Sequence, residues 1–155
     1  MSTTGLPIFD DTVQQTNRWL NEIIDHVGDG TPGGGVDEAL RKRAYNALRA
    51  VLHTLRDRLP TELSANLAAQ LPLLVRGIYF DQYEPEEQPK TYRANGEFYE
   101  HVDQNVEPQF HFGAEDSTKA VFTVLSNHLP AGTVEKIRKA LPEDVRAAWG
   151  SLEAA

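Results

Sequence analysis

Apolar residues recur three and four apart along most of the chain, the spacing of helices that bury one face. Val13, Leu20, Ile23, Ile24 and Val27, with Trp19 on the flank, predict a first helix capped at Asp10 or Asp11 and running to about Val27. Residues 28–35 follow, a run of glycines with Pro32 that cannot sustain a helix. No apolar strand precedes that run and no Gly-Lys-Ser/Thr follows it, so it reads as a flexible connector and not as a phosphate cradle. The second helix is the strongest pattern: Val36, Leu40, Ala44, Ala47, Leu48, Val51, Leu52, Leu55 and Leu59 share a face, and Asp37 and Glu38 suit its N-terminal end. Pro60 ends it. Shorter helices are expected over 61–70 and from Pro72 to Tyr79 or Phe80, then a polar linker over 81–95. Beyond the linker the pattern predicts helices around Phe98, Val102 and Val106, and over 114–128, 133–140 and 142–149. No stretch alternates long enough to be a strand, so the expected fold class is all-α.

The chain also repeats itself. At an offset of 70 residues, Ala50, Val51, Leu55, Leu59, Pro60, Leu71, Pro72, Val75 and Arg76 meet their own kind at Ala120, Val121, Leu125, Leu129, Pro130, Leu141, Pro142, Val145 and Arg146. Conservative pairs such as Leu52/Phe122 and Tyr79/Trp149 fill in between. Such self-similarity, placed at helix breaks and on apolar faces, predicts a compact helical bundle of two pseudo-symmetric multi-helix halves. The expected organisation is a flexible N-terminus over 1–9, one duplicated domain over 10–150 and a tail over 151–155. The first half runs to about 80, the linker over 81–95 and the second half over 96–150. Residues kept in both halves do one job twice, which favours packing and turn geometry. Arg76 and Arg146 belong to that set. Each suits the cation-preferring end of a short helix, and holding an anion is the other reading of the pair.

Composition narrows the classes. With no cysteine among 155 residues there is no disulfide, thiolate metal site or thiol nucleophile. No apolar run is long enough to span a membrane, and residues 1–9 lack the basic start of a secretory signal, so a cytoplasmic protein is expected. The net charge is −8; between residues 81 and 116 ten acids face only Lys90 and Arg93. That acidic middle argues against nucleic acid as a partner. Lys42, Arg49 and Arg56 form a basic stripe seven residues apart on the second helix. It reads as a solvated helix face, or as the surface that meets the acidic middle of a neighbouring molecule in head-to-tail assembly.

Three runs carry a resemblance. They are Thr16-Asn17-Arg18-Trp19-Leu20, then Val51 through Pro60 (Val-Leu-His-Thr-Leu-Arg-Asp-Arg-Leu-Pro), then Ala68 through Phe80 with its Gln70-Leu71-Pro72 and Arg76-Gly77. A weaker echo ends in Leu141-Pro142-Glu143-Asp144-Val145-Arg146-Ala147-Ala148-Trp149. Here the sequence resembles the bacterial domain-of-unknown-function family 2267, over about Phe9 to Trp149. The resemblance implies a compact, duplicated helical domain of a bacterial cytoplasmic protein. It implies no particular activity, since none is assigned to the family's members. The glycine run before Val36 and the acidic residues 101–116 depart from the family's pattern.

Candidate chemistry is sparse. Five histidines titrate nearest neutrality: His26, His53, His101, His111 and His128. His53 lies in the apolar stripe near Arg49 and Asp57, as a hydrogen-bonding core histidine would, and His128 suits a helix end. Glu97 and His101, four apart, share a helix face; with His111 they are the candidates for a metal, against the plainer reading of an acidic surface. The Glu-x-x-His spacing of di-iron bundles is missing. No serine stands in a Gly-x-Ser-x-Gly elbow, and no catalytic residue or cofactor is nominated. The aromatic residues around the linker read as packing that pins it down. The functional expectation is a non-catalytic protein–protein interaction or self-assembly module, with Lys42, Arg49 and Arg56 as its surface. A small-ligand or metal-binding protein using the cleft between the halves, conceivably an enzyme, is the second reading.

Overall fold

Pro7 opens α1 (Pro7–Val27), three and four residues ahead of Asp10 and Asp11, which the pattern nominates as caps. Proline suits a first turn, where no amide donor is required. Asp10 reaches back instead, accepting from the Thr4 amide at 3.0 Å and its hydroxyl at 2.8 Å. Hydrogen bonds from Ser2 and Thr4 hold its carboxyl below the ordinary carboxylate range. The computed structural model describes residues 2–27, 38–110 and 112–149, and within them eight α-helices, three 3-10 turns and no strand. The glycine run with Val36 and Asp37, His111 and the tail lie outside the described residues.

The second helix, α2 (Glu38–Arg58), is the axis of the fold, with helices against it on several sides. From Ala44 to Arg56 every residue but Tyr45 and Arg49 is buried. A single apolar face was the expectation. In the fold α1, α4 (Leu73–Phe80), α5 (Glu97–Asn105) and α6 (Ala114–His128) surround the helix, so its polar side chains are covered as well. The prolines repeat one device. Pro60, Pro72, Pro130 and Pro142 occupy the N-caps of α3 (Thr61–Ala69), α4, α7 (Ala131–Ala140) and α8 (Glu143–Arg146). Pro72 therefore stands one residue before the helical position expected of it. Their extended backbone turns the chain sharply, and the missing amide hydrogen goes unneeded there.

The helix expected over 142–149 is shorter: α8 gives way to a 3-10 turn, Ala147–Trp149. That turn seats Trp149 flat on Phe122, with ring centroids 4.0 Å apart and planes at 12°. Ile23, Leu48, Leu52, Leu55, Leu125 and Ile137 fill the rest of the core. The polar linker is a strap held to the end of α2. Gln88 donates to the Arg56 and Leu59 carbonyls at 2.8 and 3.1 Å, and the Lys90 amide donates to the Asp57 carbonyl at 2.7 Å.

Candidate functional site

The basic stripe does not stand together on the surface. Lys42 is exposed and paired with Glu38 at 3.4 Å. Arg49, half-buried, donates to the Asn105 carbonyl at 3.3 Å and to Gln82 Oε1 at 2.5 Å. Arg56 is only 3% exposed. Its Nη1 donates to the Tyr79 carbonyl at 2.7 Å and the Asp81 carbonyl at 2.9 Å, its Nε to Asp57 at 2.8 Å, and the Tyr83 ring lies 5.1 Å away. The reading of Arg56 as solvated or as an intermolecular contact is thereby corrected. A guanidinium fully engaged inside the protein has nothing left to offer a partner. It ties α2 to the end of α4 and the start of the strap.

Arg76 and Arg146 share a second arrangement. Arg76 donates to the Ala68, Ala69 and Leu71 carbonyls at 2.9, 3.2 and 3.0 Å. Arg146 donates to the Leu141 and Lys139 carbonyls at 2.9 and 3.2 Å. Both thus bind the carbonyls left free where a helix stops before Leu-Pro. Arg146, Arg58, Arg93 and Lys139 line one depression of about 280 Å³ with Ala140, Leu141, Pro142 and Glu143. A separate depression of about 300 Å³ lies among Arg18, Trp19, Gln15, Gln70, Leu71, Pro72 and His128.

The acidic candidates are spread differently. Glu97 Oε1 accepts from the Ala94 amide at 2.8 Å, bracing the start of α5. The His101 ring stacks on Tyr92 with centroids 4.5 Å apart, beside a crevice of about 10 Å³ that Asp57 and Lys90 also line. His111 lies outside the described residues. Among the described residues no group of three or more His, Asp or Glu side chains gathers in the way a metal site requires.

An apolar face remains uncovered. Leu73, Leu74 and Phe80 of α4 are 48%, 42% and 40% exposed, and helical spacing puts them with Gly77 on one side. The Leu74 amide donates to Thr12 Oγ1 at 2.8 Å, which sets α4 against the first turns of α1, where Ile8 and Phe9 are exposed too. Residues 16–148 match the family model described as Uncharacterized conserved protein (DUF2267). The chain belongs to the DUF2267 family. No curated protein matches it.

Two further side chains of this DUF2267 chain take their roles from packing. Tyr79 is fully buried and bonded to both the hydroxyl and the carbonyl of Ser64, and burial pushes its hydroxyl pKa up. His128 stands in the last turn of α6, as its sequence position suggests, and there Nε2 meets Glu22 Oε2 at 2.5 Å while the ring stacks on Trp19 at 5.2 Å, joining α6 to α1. His53 keeps the core role expected of it, with Nε2–H donating to the Ile78 carbonyl at 2.7 Å. Burial holds its pKa below the ordinary histidine value, against the pull of that carbonyl and with help from Arg56 and Arg49. The unfolded chain therefore takes the proton first as pH falls. His53 contributes its full stability above about pH 6.5 and loses it as pH drops toward the lower folded value. Melting temperatures between pH 7.5 and pH 5, as approximate limits around that titration, should fall more steeply for the wild type than for His53→Gln. Parallel curves would refute the assignment.

Proposed function

We propose that this DUF2267 chain is a non-catalytic interaction module whose docking surface is the apolar face of α4 and the start of α1. The observation that carries this reading is the exposure of Leu73, Leu74 and Phe80 on a helix whose other side is buried. Large apolar side chains grouped on one exposed face mark interaction sites in soluble proteins. The face has an acidic border: Asp11 stands beside Ile8, and Asp81 and Glu84 follow Phe80, all exposed. Arg76, the cation of α4, is turned away onto carbonyls. A second copy would bring the same acids and another net charge of −8, so the fitting occupant is an amphipathic helix with basic flanks. The two-half organisation belongs to this reading as well. It is supported by the matching bonds of Arg76 and Arg146 to carbonyls seventy residues apart, those of Ala69 and Leu71 and of Lys139 and Leu141.

A titration with a labelled leucine–lysine amphipathic peptide tests the surface. Wild type should bind it, and the triple variant Leu73→Ser, Leu74→Ser, Phe80→Ser should bind at least roughly tenfold more weakly, since three apolar anchors are lost. Equal binding by both would mean that charge alone attracts the peptide. A concentration-dependent dimer in sedimentation that the triple variant abolishes would assign the face to self-association instead.

A further inference from the structure

Four cations converge where a strongly acidic chain has least reason to gather them. Arg58 ends α2, Arg93 lies in the strap, Lys139 is in the last turn of α7 and Arg146 closes α8, and all line the depression of about 280 Å³. Glu143 is the one carboxylate in the lining. The protein spends little of this charge internally. Arg58 uses Nε on the Tyr92 carbonyl at 3.2 Å, with the Tyr92 ring 5.5 Å from its guanidinium carbon, which leaves both Nη groups over. Arg146 uses Nε and Nη2 on carbonyls and keeps Nη1 unbonded among the described residues. Lys139 reaches Glu135 only at 3.9 Å. Arg93 is exposed and bonded to nothing among the described residues.

We propose that this depression binds the phosphate group of a small phosphorylated molecule. Four cations overmatch a single carboxylate, whereas a phosphate dianion brings two charges and three oxygens to donors arriving from different elements. The carbonyl bonds of Arg58 and Arg146 fix those side chains before any ligand arrives, so less freedom is lost on binding. Ala140, half-buried, is the apolar residue of the lining that a ligand could touch, since Leu141 and Pro142 are themselves buried. The volume of about 280 Å³ stands at the lower edge of small-ligand pockets, enough for a phosphate group and little beyond it. An extended polyanion would also meet the repulsion of a chain whose net charge is −8. The separate depression at Arg18 offers one cation unbonded among the described residues, and its Gln70 amide already donates to Thr133 at 2.9 Å, which is why the inference rests on this one.

Calorimetric titration with inorganic phosphate and with pyrophosphate tests the site in the full chain. Saturable one-to-one binding is expected, weakened at least roughly tenfold in Arg93→Gln/Lys139→Gln, as loss of two charge-assisted contacts implies. Both positions lack structural bonds of any strength, so the variant should melt with the wild type. The charge-matched Lys119→Gln/Lys136→Gln, at exposed positions outside the depression, should bind as wild type does. Three results would overturn the proposal. They are no saturable signal with either probe, equal weakening in both double variants, or a short single-stranded RNA that outcompetes pyrophosphate with the same dependence on Arg93 and Lys139.

Discussion

Replacing Arg56 by methionine is expected to destabilise the protein by about 3 kcal/mol, lowering its melting temperature by roughly 6–12 °C. The loss has a definite origin. The guanidinium joins the carbonyls of Tyr79 and Asp81, the Asp57 carboxylate and the Tyr83 ring in one cluster. Methionine fills the space of the stem but donates nothing, so two carbonyls and a half-buried carboxylate lose their donor. Unpaired buried acceptors cost about 1–3 kcal/mol each when water cannot reach them. Lysine at the same position keeps the charge yet cannot span three acceptors, and Arg56→Lys should fall between the two. Thermal unfolding followed by circular dichroism measures the series. Hydrogen exchange should locate the damage in the strap: the Lys90 amide, bonded to the Asp57 carbonyl, should lose protection first. A methionine variant melting within about 2 °C of wild type, less than 1 kcal/mol on the same scale, would show that Arg56 is replaceable packing.

Arg56 also shows what the sequence can and cannot disclose. Its place in a seven-residue recurrence of cations on an amphipathic helix is what a solvated face looks like. Only its neighbours make it a core residue, and they come from α4 and from a strap whose order depends on bonds to α2. No local pattern encodes carbonyls brought in from twenty-three residues away. Where the determinants are local, the reading is close. Residues 114–128 form α6 with the expected bounds, and the proline breaks fall where proline forbids continuation. His53 is legible for a similar reason: a histidine between apolar helix neighbours must bond inside the core.

The candidate site divides along the same line. Recurrence in both halves makes the turn-holding role of Arg76 and Arg146 legible, with an anion only as the other reading of the pair. The depression that Arg146 lines is not legible, because Arg58, Arg93 and Lys139 lie on three separate elements far apart in sequence. The exposed face of α4 was hidden by the reverse error. Leu73, Leu74 and Phe80 have the composition of a core helix, and a short apolar helix is assigned to the core by default. Only burial itself distinguishes the two cases.

Phe122→Ala is expected to cost about 4 kcal/mol, the usual range for deleting a fully buried phenylalanine. Phe122 stands between the Trp149 ring, stacked at 4.0 Å, and the Phe98 ring, tilted at 6.1 Å. Removing it takes the floor from under Trp149 and opens a cavity that α6 cannot close, since Val121 and Leu125 on either side are already packed. The last turn holds to the bundle largely through that ring, so its loss should be visible locally as well as globally. In a Trp19→Phe background, Trp149 emission should shift to longer wavelength in Phe122→Ala as water reaches the indole. Phe122→Leu keeps much of the volume and should cost about 1–1.5 kcal/mol, with little spectral change. An alanine variant that loses stability while Trp149 emission stays fixed would separate the two roles. The phenylalanine would then support α5 through Phe98, and the C-terminal turn would be held by Val145 and Ala148 instead.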